Sequence, residues 1–199
     1  MKRYIGTVAR GIRTPIVREG DALEEIVVES ILRAAEADGF SIRDRDVVGI
    51  TESVVARTQG NYVTVDAIAA DLKAKFGGDS LGVVFPILSR NRFAMLLKGI
   101  ARSTQHVILL LSYPSDEVGN QLIDPDLLDV HGINPWSDHL TESQFRQTFG
   151  VSLHPFTGVD YIDYYRSLVE AEGANCTILF SNHPQMILDH TGNVLACDI

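Results

Sequence analysis

The sequence predicts a mixed α/β protein, in which an N-terminal α/β unit is followed by alternating β-α-β segments with a mostly parallel sheet. Short, continuous apolar runs at residues 81–85, 107–111, 177–180 and 194–197 have the length and composition of strands buried on both faces. Between them lie segments whose apolar residues recur at helical spacing, and that alternation is the pattern of parallel strands joined by crossover helices.

Residues 5–9 form a short strand candidate at the start. Asp21 then reads as a helix N-cap with Glu24 at the third helical position, Leu23, Ile26, Val27, Ile31 and Ala34 on one face, and Asp38-Gly39 as the stop. Residues 46–50, DVVGI, read as an interior strand that runs into Thr51, Glu52 and Ser53. Thr64 caps a second helix with Val65, Ile68, Ala69, Leu72 and Phe76 buried, and Gly77-Gly78 ends it. These elements make a first unit, residues 1–78. In the second, residues 79–199, a helix over 89–103 joins the strands at 81–85 and 107–111. Shorter helices are expected from Asp124-Pro125 onward, over 141–149, over 159–172 and over 184–190. The chain ends on the apolar run that includes Cys197, which reads as a C-terminal truncation. The two units are compatible with one packed domain.

Composition narrows the function. With 45% hydrophobic residues in 199, the chain buries a sizeable core. A net charge of −9 with dispersed Lys and Arg argues against a nucleic-acid partner. Cys176 and Cys197 lie in strand-like runs without CxxC spacing, as free thiols of a cytoplasmic protein do. No apolar run approaches bilayer length, so no membrane partner is expected.

The carboxyl ends of the predicted parallel strands share one edge, where ligands bind in open α/β sheets. That edge carries Ser89, Arg90, Asn91 and Arg92, then residues 112–116, then 181–183. Residues 89–92 read in two ways: a capped helix start with solvated arginines, or an anion site of backbone N–H groups and guanidinium forks. His131, Asp138 and His139 have loop spacing and Tyr161, Tyr164 and Tyr165 amphipathic-helix spacing, so no metal ligands are assigned. GxSxG, GxxxxGK[ST] and GxGxxG are absent.

Two stretches carry a family resemblance. GIRTPIVREGDALEEI, residues 11–26, and DRDVVGITESVVARTQGN, residues 44–61, resemble the start of coenzyme F420-0:L-glutamate ligase, with its Gly-Pro loop, its (K/R)EGDDL helix start and its strand closed by a polar pair. The resemblance makes the first unit ligase-like. It implies a GTP-dependent ligase, requiring Mg²⁺ or Mn²⁺, that adds glutamate through an amide bond to a deazaflavin coenzyme, and a homodimer is compatible with it. Carried over, the nucleotide contacts fall on Arg13, Thr14, Pro15, Ile16, Glu52, Ser53 and Arg57. Arg57 stands where the family has Lys, and Gln59 where it has an acid. The family's metal-binding Asp-Thr pair and its N-A-G-x-D-x-S-N stretch have no counterpart read in residues 62–199, which predicts no turnover by this chain. The competing reading is an α/β domain, non-catalytic or differently catalytic, that binds an anionic small molecule at the sheet edge.

Overall fold

Strands that alternate side chains between two covered faces are apolar throughout, and the central strands here show it. The computed structural model describes Gly6 and residues 8–197. Strands β1 (Ser80–Val84), β2 (His106–Leu111), β3 (Leu140–Thr141), β4 (Asn175–Phe180) and β5 (Val194–Ala196) form one sheet in the order β3-β4-β2-β1-β5. The pairs β1-β2, β2-β4 and β1-β5 are parallel, with Leu81 opposite Val107 and Leu109 opposite Ile178, while β3 runs antiparallel along β4. The expected parallel core is therefore present. The edge strand β3 has two residues, too few for periodicity to reveal.

The period-two alternation divides the core between the two faces. Val83, Val107, Leu109, Leu111, Ile178 and Phe180 join the larger cluster, and Val84, Ile108, Leu110 and Leu179 meet Ile187 on the other side. Helices α4 (Phe93–Ser103), α6 (Glu142–Phe149) and α7 (Tyr161–Ala171) supply the larger cluster, and a 3₁₀ helix (Pro184–Asp189) supplies Ile187. The helix α3 (Val65–Phe76), grouped by sequence with the first segment, packs on α4. Gly99 allows that approach, because a Cβ there would lie 2.8 Å from Ile68 Cγ2.

Caps explain where these helices begin. The Thr64 hydroxyl accepts from Ala67 N at 3.1 Å, as expected for α3, and Asp160 accepts from Ile162 N and Asp163 N at the start of α7. Thr141 and Gln144 form a reciprocal capping box before α6. The short helix α5 (Asp126–His131) follows Pro125. Helix α4 begins at Phe93, later than the sequence predicts, because residues 89–92 fold into a turn in which Ser89 Oγ accepts from Arg92 N.

The chain divides into two compact units, Met1–Val63 and Thr64–Ile199. The first holds α1 (Leu23–Asp38) and α2 (Glu52–Thr58), and no strand occurs among its described residues. The expected strand at 46–50 is thus corrected, for Val47 is 92% exposed and Ile50 43%. A strand requires hydrogen-bonded neighbours, and Asp46 belongs to a turn instead, its carboxylate accepting from Arg43 N at 2.9 Å. Asp21 does the same with Arg18 N at 2.7 Å, so Ala22, without a side-chain bond, occupies the cap position assigned to Asp21. Both turns carry a positive φ at their third residue, Gly20 and Arg45. The strand candidate at 5–9 lies partly outside the described residues, and Gly6, Val8 and Ala9 are not in a strand. No helix among the described residues is long and apolar enough to cross a membrane.

Candidate functional site

Four parallel strands present their carboxyl ends on one edge of the second unit, and the loops there are tied to one another. Asp116, 6% exposed, accepts from Leu88 N at 2.8 Å in the loop after β1. It also accepts from Val118 N, Asn120 N and Asn120 Nδ2 in its own loop. From α7, the Tyr165 hydroxyl accepts from Ser89 N and donates to Ile87 O, both at 2.7 Å. Tyr165 is fully buried, and burial pushes its phenol well above the usual range, so the hydroxyl remains a neutral donor and acceptor. Phe85, the residue after β1, has φ 53°, a left-handed conformation uncommon outside glycine.

These ties shape a cavity of about 360 Å³ lined by residues 87–92, Val118, Asn120, His154, Thr157 and Tyr161. Arg90 and Arg92 are exposed at its rim. The unit has three other arginines, and all are paired: Arg102 with Asp66 and Glu172, Arg146 with Asp160 and Asp163, Arg166 with Glu142 and Glu170. Neither Arg90 nor Arg92 has a carboxylate partner among the described residues. Sequence singled out residues 89–92 and read Tyr161 only as part of an amphipathic helix, but it did not single out Asn120, His154 or Thr157, which come from two loops and share no local pattern. Tyr165→Phe removes both loop bonds and is expected to cost about 1–3 kcal/mol. Urea unfolding at unchanged m-value measures it, and a cost near zero would show that the loop stands without the hydroxyl.

A second polar cluster follows β4. Ser181, fully buried, has its Oγ 2.7 Å from His139 Nδ1 and accepts from His183 N at 2.9 Å. The two imidazoles stand 6.2 Å apart. Asn182 exchanges bonds with Tyr113 N and O, joining the β2 and β4 loops. Burial, with the Asp138 charge adding to it, pushes the Tyr113 phenol up to about 12. His139 is therefore exposed, as a loop residue should be, yet bonded to a core serine that sequence alone did not connect to it.

In the first unit the two motif-bearing stretches meet. Gly20 N donates to Thr58 O at 2.9 Å, which seats the Arg18 to Asp21 turn on the end of α2. Gly60 completes the contact: its φ is +65°, and a Cβ there would fall 2.6 Å from Glu19 Oε1. Ser53 and Arg57 lie four residues apart and so on one face of α2, with Glu52 in its first turn. Arg13 and Pro15 line a concavity of about 720 Å³ with Arg10, Arg33, Asp38 and Phe40. Thr14 and Ile16 are exposed, and Glu52, Ser53 and Arg57 are not among the residues lining that concavity.

No group of three or more His, Cys, Asp or Glu side chains converges among the described residues. The buried carboxylate, Asp116, spends its oxygens on protein donors. The donors described do not fit a divalent cation of the kind the resemblance implies.

The model of the F420-0:Gamma-glutamyl ligase family matches residues 11–193, well past the quoted motifs that end at residue 61. No curated protein and no solved structure matches the chain.

Proposed function

The chain belongs to the F420-0:gamma-glutamyl ligase family, and from that premise we propose that it joins L-glutamate through an amide bond to a carboxylate of a deazaflavin acceptor at the expense of GTP. The acceptor carboxylate takes the γ-phosphoryl group, releasing GDP, and the glutamate amine then attacks the acyl carbon. Phosphate leaves with the C–O electron pair, and the amine sheds a proton. The span of the family match supports this reading most strongly, and the Gly20 to Thr58 bond that brings the two motif stretches together supports it locally.

In this reading Arg13 and Arg57 hold phosphate oxygens, while Thr14, Pro15, Ile16, Glu52 and Ser53 surround the nucleotide. Guanidinium forks suit phosphate geometry, so Arg57 in place of the family Lys retains the charge and adds bidentate bonding. Mg²⁺ or Mn²⁺ is the cation the family implies, for which ligands are not found among the described residues. Cys176 and Cys197 are free thiols that burial pushes up to about 11, and we place the protein in the cytoplasm on their account.

Arg57→Ala is expected to weaken GTP binding roughly tenfold or more without unfolding the protein, since the side chain is exposed on α2. Calorimetric titration reads the affinity directly. Equal affinity in the variant would sink the nucleotide assignment. It would also favour the second reading, an anion-binding α/β domain, for which the cavity at Arg90 and Arg92 provides the observation.

A further inference from the structure

We propose that the cavity bounded by residues 89–92, Asn120, His154 and Tyr161 is a binding site for a small dicarboxylate. Resting on the ligase reading above, we take that dicarboxylate to be the glutamate that is ligated. Three independent features of the cavity point to such a ligand.

The first is charge. In a chain of net charge −9, Arg90 and Arg92 alone among the second unit's described arginines lack carboxylate partners, and both stand at one opening. Two planar forks bind carboxylates with matched geometry. His154 accepts from Thr157 N through Nδ1, which leaves Nε2 of the neutral ring as a further donor.

The second is unspent polar capacity. Tyr161, 4% exposed, lines the cavity, and its hydroxyl has no hydrogen-bond partner among the described residues and is not enclosed. Thr157 Oγ1, on another lining residue, also lacks a partner among the described residues, but it is enclosed and out of a ligand's reach. Buried polar groups are normally satisfied, so the accessible Tyr161 hydroxyl is left free to bond a ligand or water.

The third is orientation. Asn120 Nδ2 donates to Asp116 Oδ2 at 2.7 Å, which turns the amide oxygen away from Asp116 as a free acceptor. An amino acid has a donor for it, the ammonium group, whereas a plain di-acid such as glutarate, ionised at neutral pH, has none. Tyr165 and Asp116 hold the Ile87 to Ser89 wall and the Asn120 wall in place before any ligand arrives, and a site so preorganised loses little entropy on binding. The volume, about 360 Å³, lies at the lower end of the range for small-ligand sites.

Isothermal titration of the full chain with L-glutamate, glutarate, inorganic phosphate and GTP tests the proposal. Glutamate and glutarate are expected to bind, glutamate more tightly. The Arg90→Ala/Arg92→Ala variant should weaken both roughly tenfold or more and Tyr161→Phe roughly threefold, with GTP affinity unchanged. Circular dichroism confirms folding, and Tyr161→Phe keeps the ring in place. Failure of both di-acids to bind, affinities indifferent to all these substitutions, or phosphate binding as tight as glutamate's would each overturn it. Di-acid binding through the two arginines, together with GTP affinity indifferent to Arg57→Ala, would keep the cavity and remove the ligase reading. GTP binding that depends on Arg57, without di-acid binding, would remove the cavity alone.

Discussion

Asp116→Ala lowers the free energy of unfolding by about 3–5 kcal/mol, measured by urea denaturation at neutral pH. The size follows from what remains after truncation. Leu88 N, Val118 N, Asn120 N and Asn120 Nδ2 all lose their acceptor, and the site is 6% exposed, so water replaces the carboxylate poorly. Each charge-assisted bond contributes about 1.5–3 kcal/mol in isolation, but four bonds to one group share a single desolvation cost and do not add. Asp116→Asn keeps the shape and turns an NH₂ group toward donors, so an intermediate loss is expected. Because Asp116 ties the β1 loop to the β2 loop, the alanine variant should also lose the dicarboxylate site. A stability loss under about 1 kcal/mol would show that the two loops hold their places independently.

Phe180→Ala is expected to cost about 3–5 kcal/mol, the range for removing an aromatic ring from a packed core. The ring is fully buried at the end of β4, stacked on Phe145 of α6 with centroids 4.0 Å apart and planes at 16°. It also meets Tyr113 edge-on at 6.5 Å. Its loss would leave a void between the sheet, α6 and the loop after β2, and relaxation there is opposed by the Asn182 bonds to Tyr113. A double-mutant cycle with Phe145→Ala should return a coupling of about 0.5–1.5 kcal/mol. No coupling would mean that the stacked pair contributes only as separate apolar area.

Much of the second unit is legible one segment at a time. The run at 107–111 can be only a covered strand, because its side chains on both faces are apolar, and Thr64 announces α3 because a hydroxyl before an amphipathic stripe can satisfy an orphan N–H. The turn residues misled where they serve two purposes. Asp21 and Asp46 suit a cap or a strand entry by position, but each carboxylate satisfies the amide three residues earlier and closes a turn. The run at 46–50 failed as a strand for a related reason: apolar β-branched residues state a preference for extended backbone, whereas a strand exists only when a neighbour supplies its hydrogen bonds.

The site divides the same way. Residues 89–92 stand out locally, since two arginines and a serine after an apolar strand are visible in four letters. Asn120, His154 and Thr157 do not, and Tyr161 reads only as part of an amphipathic helix, because nothing within a loop or a helix start indicates which other loop it will face. Sequence alone determined the central parallel strands and the main helices that flank them, the resemblance carried by residues 11–26 and 44–61, and the chemistry available at the end of β1. Tertiary structure decided the strand order, the pairing of His139 with Ser181, and which two arginines were left without carboxylates. Propensity and capping act over a few bonds along the chain, whereas partner choice depends on what the folded sheet brings within 3 Å or so, a distance over which hydrogen bonds form and that no linear spacing encodes.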